Sequence, residues 1–149
     1  MVGVLVVSRG RLADALISSV ESLVGKLQRI RGVSVWPKDK EEDIKDQIQK
    51  KMAEVEEGDG VVILTDILGG TPTNLSLSLL EDEKVEVVTG VNMPMLMTLL
   101  SYRKEKSLRE ISKLVKKSGR RSIILAKGLL GLERRTKAES EMPKSMVRV

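Results

Sequence analysis

Thr65 and Asp66 end the most apolar run of the chain, residues 61–64, and Ile67-Leu68-Gly69-Gly70-Thr71-Pro72-Thr73-Asn74 follows them. These residue types in this order suit an anion. A Gly-Gly pair permits a backbone path that side chains would block. Thr71 is a favourable N-cap, and Pro72 then takes the first helical position, where its missing N–H costs nothing. Amides just past a cap are unpaired and point outward. The same features equally serve a well-capped helix that binds nothing, and Gly-Gly matches neither the dinucleotide nor the P-loop pattern. A second polar loop, Ser8-Arg9-Gly10-Arg11, follows the apolar residues 2–7. Asp66 at a strand end can orient a basic or hydrogen-bonding group across a crevice between the two loops.

Other chemistry is excluded by what the chain lacks. It has no histidine and no cysteine. A Ser-His-Asp triad, a Cys-His dyad, a disulfide, a thiolate metal ligand and a phosphohistidine are therefore impossible on it. No metal and no cofactor is expected. Phenylalanine is absent, and Trp36 and Tyr102 are single. A base-stacking platform for nucleic acid is not expected.

The loops must be held by a scaffold, and the pattern supplies one. Residues 2–7 read as a strand buried on both faces. Leu12, Leu16, Val20 and Leu23 repeat at helical spacing, and residues 27–35 alternate like a second strand. Asp39 and Glu42 fit a capping box for a helix carrying Ile44, Ile48, Met52 and Val55. Residues 61–64 and 85–88 are further strands. Helices are expected from Thr71 to about residue 81, from Met93 to about residue 101, and around Leu108, Ile111, Leu114 and Val115. Residues 122–126 read as a fifth strand. Strands alternating with helices predict βαβ units and a doubly wound, mainly parallel sheet with helices on both faces. In such sheets ligands lie at the carboxyl ends of strands, where strand order reverses.

Charge is unevenly spread over the 149 residues. The net is −5 over residues 1–101, +7 over 102–121 and +3 over 122–149. A solvated helix face and a polar tail account for the basic third, as would a docking patch for an acidic partner. No stretch is long and apolar enough to span a bilayer, and residues 1–10 read as a strand, not a signal peptide. A cytoplasmic protein is expected. Met93, Met95 and Met97 form no single stripe and read as packing. Trp36-Pro37 reads as a loop anchor near the same rim.

Three separated motifs, in order, give the chain a resemblance. They are Gly10-Arg11-Leu12-Ala13 after the first strand, Thr65-Asp66 ahead of Gly69-Gly70-Thr71-Pro72 and Asn74, and Val88-Thr89-Gly90-Val91-Asn92-Met93-Pro94-Met95-Leu96. Over residues 1–126 the chain resembles the enzyme IIA domain of the mannose/fructose-type bacterial phosphotransferase system, with residues 127–149 as a basic tail. The resemblance implies a homodimer in which the last strand, residues 122–126, adds antiparallel to the partner's sheet. It implies a histidine after strand one that takes a phosphoryl group from HPr and hands it to the IIB component, and an aspartate that orients it. It implies phosphoryl oxygens held near Gly69, Gly70, Thr71 and Asn74, with Ser8, Thr65, Asn92 and Met93 as further site wall.

Asp66 matches the aspartate. Arg9 stands where the resemblance places the histidine, so no catalytic set is intact. Arginine stays protonated and is a poor nucleophile. Ser8 and Thr65 carry hydroxyls but have no base to activate them. The expected function is therefore a IIA-like protein of the sugar phosphotransferase system that cannot be phosphorylated and serves as a regulatory or partner-binding paralogue. A phosphocarrier whose acceptor histidine has been exchanged for arginine is the alternative, and a small module binding an anion or phosphometabolite is a second. Expected partners are a second copy and an HPr-like, IIB-like or regulatory protein, with peripheral association with a permease complex and no membrane insertion. Arg9 is expected within salt-bridge distance of Asp66, filling the vacated slot, or holding an anion with the Thr71 helix start.

Overall fold

The computed structural model describes residues 1–131. Strand β1 (Gly3–Arg9) leads through α1 (Leu12–Val24) to β2 (Ile30–Val35), then through α2 (Glu41–Val55) to β3 (Val61–Thr65). Helix α3 (Thr71–Leu77) precedes β4 (Val85–Val88), and α4 (Met93–Tyr102), α5 (Leu108–Arg121) and the short α6 (Ala126–Leu130) follow. The sheet order is β2-β1-β3-β4, and all three pairings are parallel. The chain steps outward from β1 to β2 and then crosses back over β1 to β3. Strand order thus reverses between β1 and β3, and a crevice opens at their carboxyl ends.

Alternation along the strands feeds two cores. Val2, Val4, Val6, Val62 and Leu64 pack on one face against Ala13, Val20, Leu96, Leu99, Ile111 and Val115 of α1, α4 and α5. Leu5, Val7, Ile63, Val33 and Val35 pack on the other against Ile44, Ile48 and Val55 of α2. Both faces of the central strands are thus covered, which is why residues 2–7 and 61–64 are apolar without a break.

At the opposite pole to the crevice, Arg103 is 5% exposed. Its guanidinium donates to the carbonyls of Arg29 (3.1 Å) and Gln28 (2.5 Å), and its own carbonyl accepts from Val2 N. Burial pulls its pKa down and the nearby Glu57 charge opposes that. Arg29 sits at φ 55°, so the bend into β2 is held by these bonds. Arg103→Met is expected to destabilise the fold by roughly 2–4 kcal/mol, because two carbonyls lose charged donors in a dry position. Denaturant unfolding measures it, and a loss under about 0.5 kcal/mol would contradict the role.

Several boundaries differ from those the sequence suggests. Strand β2 begins at Ile30, because the Arg29 bend interrupts residues 27–29. The capping box at Asp39 does not form: the Asp39 carboxylate accepts from Trp36 N (2.8 Å), and Lys40 is the N-cap of α2 without a side-chain bond. The N-cap of α3 is Gly70, one residue before Thr71, and the helix ends at Leu77. A capping box does form on α5, where Ser107 and Glu110 bond reciprocally and the Ser107 amide, then its hydroxyl, hold the Glu110 carboxyl below its ordinary range.

Residues 122–126 are not a strand within this chain. The amides of Ser122 and Ile123 stay bonded to Ser118 and Arg120 carbonyls of α5, and the Leu125 carbonyl accepts from Gly128 and Leu129. Helix ends have thus taken the groups a ladder would use. Ile123 and Leu125 are left 81% and 85% exposed. An antiparallel fifth strand is absent from the described residues, which form a four-stranded, wholly parallel sheet. Of residues 127–149, those up to 130 close α6 and those from 132 lie outside the described residues.

Candidate functional site

Arg9 is the last residue of β1 and Asp66 the first after β3, on neighbouring strands at the switch point. Their register brings them together: the Arg9 backbone N–H donates to Asp66 Oδ2 at 2.9 Å, and the Ile67 N–H donates to Oδ1 at 2.7 Å. Both carboxylate oxygens are thereby engaged by backbone amides. Asp66 is 9% exposed, whereas the Arg9 side chain is 58% exposed. Arg9 Nε lies 3.9 Å from Oδ2, close enough for charge attraction and too far for a hydrogen bond. The guanidinium makes no hydrogen bond to any described residue. It lies over Gly70, where any Cβ would run into Nη2. Glycine at 70 is what lets the arginine lie there.

The rest of the wall is mostly occupied by its own structure. The buried Ser8 hydroxyl accepts from Ala13 N at 2.8 Å and so anchors the first turn of α1, whose N-cap residue, Arg11, makes no side-chain cap. Buried Thr65 bonds Thr73 Oγ1 at 2.8 Å, and Thr73 donates to the Ile67 carbonyl, which fixes the loop between them. Neither hydroxyl is free to act as a nucleophile. Gly69 turns at φ 88°. Gly69, Thr71 and Asn74 are exposed, and the Asn74 amide is already spent on the Gly70 carbonyl. Asn92 caps α4 through Met95 N and Met93 is half-buried against the core. Their loop is tied to the site by Gly90 N and Val91 N, which donate to the carbonyls of Asp66 and Thr65. No group of three or more metal-ligating side chains occurs among the described residues.

The apolar residues at this rim are exposed. Leu12, Trp36, Ile67 and Leu68 are 44%, 42%, 55% and 75% accessible, each at the carboxyl end of a strand. Trp36 lies 3.8 Å from where a Gly10 Cβ would stand, and Gly10 has φ 57°, which favours glycine. Trp36 is thus both an anchor and a surface.

A second feature escaped the sequence. The free edge of β4 lines a groove of about 690 Å³ whose walls include Leu68, Leu77, Val87, Val88 and Ile123. Arg109, Lys113, Lys116 and Arg120, at i, i+4, i+7 and i+11 of α5, form a cationic border to it. The spacing was visible as a basic helix. That it borders an open sheet edge follows only from topology.

Comparisons with known proteins bear on the family and the fold. Residues 3–116 match the EIIA-man family, described as PTS system fructose IIA component. The chain is 27% identical over 124 residues to the PTS system mannose-specific EIIAB component of Escherichia coli, covering 82% of this chain and 38% of that protein. It is 27% identical over 112 residues to the PTS system fructose-specific EIIA component of Bacillus subtilis, covering 74% of this chain and 77% of that one. The fold superposes on the phosphotransferase system component EIIA from Streptococcus agalactiae with a TM-score of 0.77 at 26% identity, covering 85% of this chain and 98% of that one. The chain thus spans well under half of the EIIAB protein and most of the single-component relatives.

Proposed function

We propose that this chain, which belongs to the EIIA-man family of phosphotransferase-system IIA components, works in that system as a regulatory or partner-binding paralogue that carries no phosphate itself. One observation supports this above others. The chain has no histidine, and the position facing Asp66 across the crevice is Arg9. A guanidinium stays protonated at any working pH and is a poor nucleophile, so it is unsuited to take the group from a phosphohistidine as an imidazole does. Ser8 and Thr65 are the nearby hydroxyls, and both are buried and bonded.

The rest of the crevice favours partner binding over an inert remnant. An exposed cation sits among exposed apolar side chains on a rigid strand-end rim, an arrangement suited to a protein contact. HPr-like and IIB-like proteins are the partners to test, in the cytoplasm and alongside a permease complex. No described helix is long and apolar enough to cross a membrane. A second copy is the third partner, through residues 122–126. A phosphocarrier whose acceptor was exchanged for arginine is the second reading, supported by the intact setting of Asp66 and Gly70.

The test is phosphate transfer. With phosphoenolpyruvate, enzyme I and HPr, the chain is expected to take up no acid-labile, base-stable label while HPr is fully labelled. Stoichiometric label on this chain would overturn the reading.

A further inference from the structure

We infer that Arg9 reads the phosphoryl group on a partner protein: the crevice binds a phosphorylated partner more tightly than the same partner without phosphate, and leaves the group where it is. The inference rests on the non-transferring role above and names what that role senses.

Its first ground is the state of the guanidinium. Asp66 has spent both oxygens on the amides of Arg9 and Ile67, so it attracts the guanidinium without consuming its donors. All five N–H donors are unbonded among the described residues. Exposure ranks the charges: the cation is 58% exposed above a carboxylate that is 9% exposed, so an arriving anion meets the cation first. A planar fork of donors matches a phosphoryl dianion in two-point geometry. Gly70 gives the fork its room, since its missing Cβ is the space the guanidinium uses.

The second ground is the rim. Trp36, Leu12, Ile67 and Leu68 stand exposed at the carboxyl ends of strands, on the same rim as the cation. A free phosphate or a sugar phosphate gains nothing from aliphatic side chains standing out into solvent. A protein surface that brings its own phosphoryl group covers them, and desolvation strengthens the charged contact beside them. No step of transfer follows, because nothing here displaces the phosphoryl group from its carrier.

Calorimetry on the full chain tests this with three probes: HPr phosphorylated on histidine, unphosphorylated HPr, and inorganic phosphate. The phosphorylated form is expected to bind at least tenfold more tightly than the unphosphorylated form. Arg9→Gln is expected to abolish that ratio, and Arg9→Lys to keep part of it. Gly70→Ala, which keeps the charge but displaces the guanidinium, is expected to reduce the ratio too. Equal affinity for both forms of HPr, or a ratio that survives Arg9→Gln, would overturn the inference. So would inorganic phosphate binding as tightly as phosphorylated HPr, which would make the site one for free anions. Label that leaves HPr for this chain would instead defeat the non-transferring function, so the two failures are distinct.

Discussion

Arg9→His is expected to convert a chain that takes no phosphate into one that does. The wild-type chain has no histidine to accept the group, so the expected change is from no label to label. Three features of the site already suit an acceptor. The Asp66 carboxylate is fixed by two amides, one of them from residue 9 itself, and so it stays in place whatever side chain stands there. An imidazole at 9 then has a carboxylate beside it to select its tautomer and orient the ring. Removing the guanidinium also clears the space over Gly70, where no Cβ intrudes. The assay is label from phosphoenolpyruvate through enzyme I and HPr, acid-labile and base-stable. Transfer is expected to be detectable and slow, because the rim need not fit a donor as a working relay does. Adding Asp66→Ala to the histidine variant is expected to slow labelling further without preventing it. No label on a folded Arg9→His chain with HPr in excess would mean that the site has lost more than its nucleophile.

The sequence made that crevice legible for a physical reason. Runs buried on both faces, such as residues 61–64, need helices above and below, and that requirement alone leads to a parallel sheet with its loops at one end. The residue types in those loops then mark the place. What sequence did not reveal was how each group is spent. Ser8 looked like a site hydroxyl, yet it holds Ala13 N at the start of α1. Thr71 looked like the cap, yet Gly70 takes that position because the chain turns at Gly69. Asp39 had the spacing of a capping box, but the amide of Trp36 is nearer to its carboxylate. Short polar side chains have several backbone partners within a few residues, and the choice among them depends on loop geometry that pattern does not encode. Residues 122–126 are the larger case. A short apolar run with two β-branched residues, Ile123 and Ile124, indicates that a segment can pair, without saying with which edge.

In solution the protein is expected to be a dimer of twice the 16.5 kDa chain, held by residues 122–126 of each copy on the β4 edge of the other. The joint leaves Ile123, Ile124 and Leu125 at 81%, 60% and 85% exposure, and among the described residues β4 carries no further strand on one side, only an isolated bridge from Glu81 to Val85. An unpaired edge above an apolar groove is a surface that pairs with something. The double variant Ile123→Lys with Leu125→Lys is the sharp test. Both positions are open among the described residues, so the substitutions leave the described core untouched. In the groove they would meet four cations, Arg109, Lys113, Lys116 and Arg120, against the one carboxylate of Glu86, so repulsion prevails. Light scattering at micromolar concentration is expected to show the dimer for the wild type and a single chain of unchanged helicity for the variant. A wild-type monomer would remove the exchange outright. A variant that stays dimeric would place the interface on another surface.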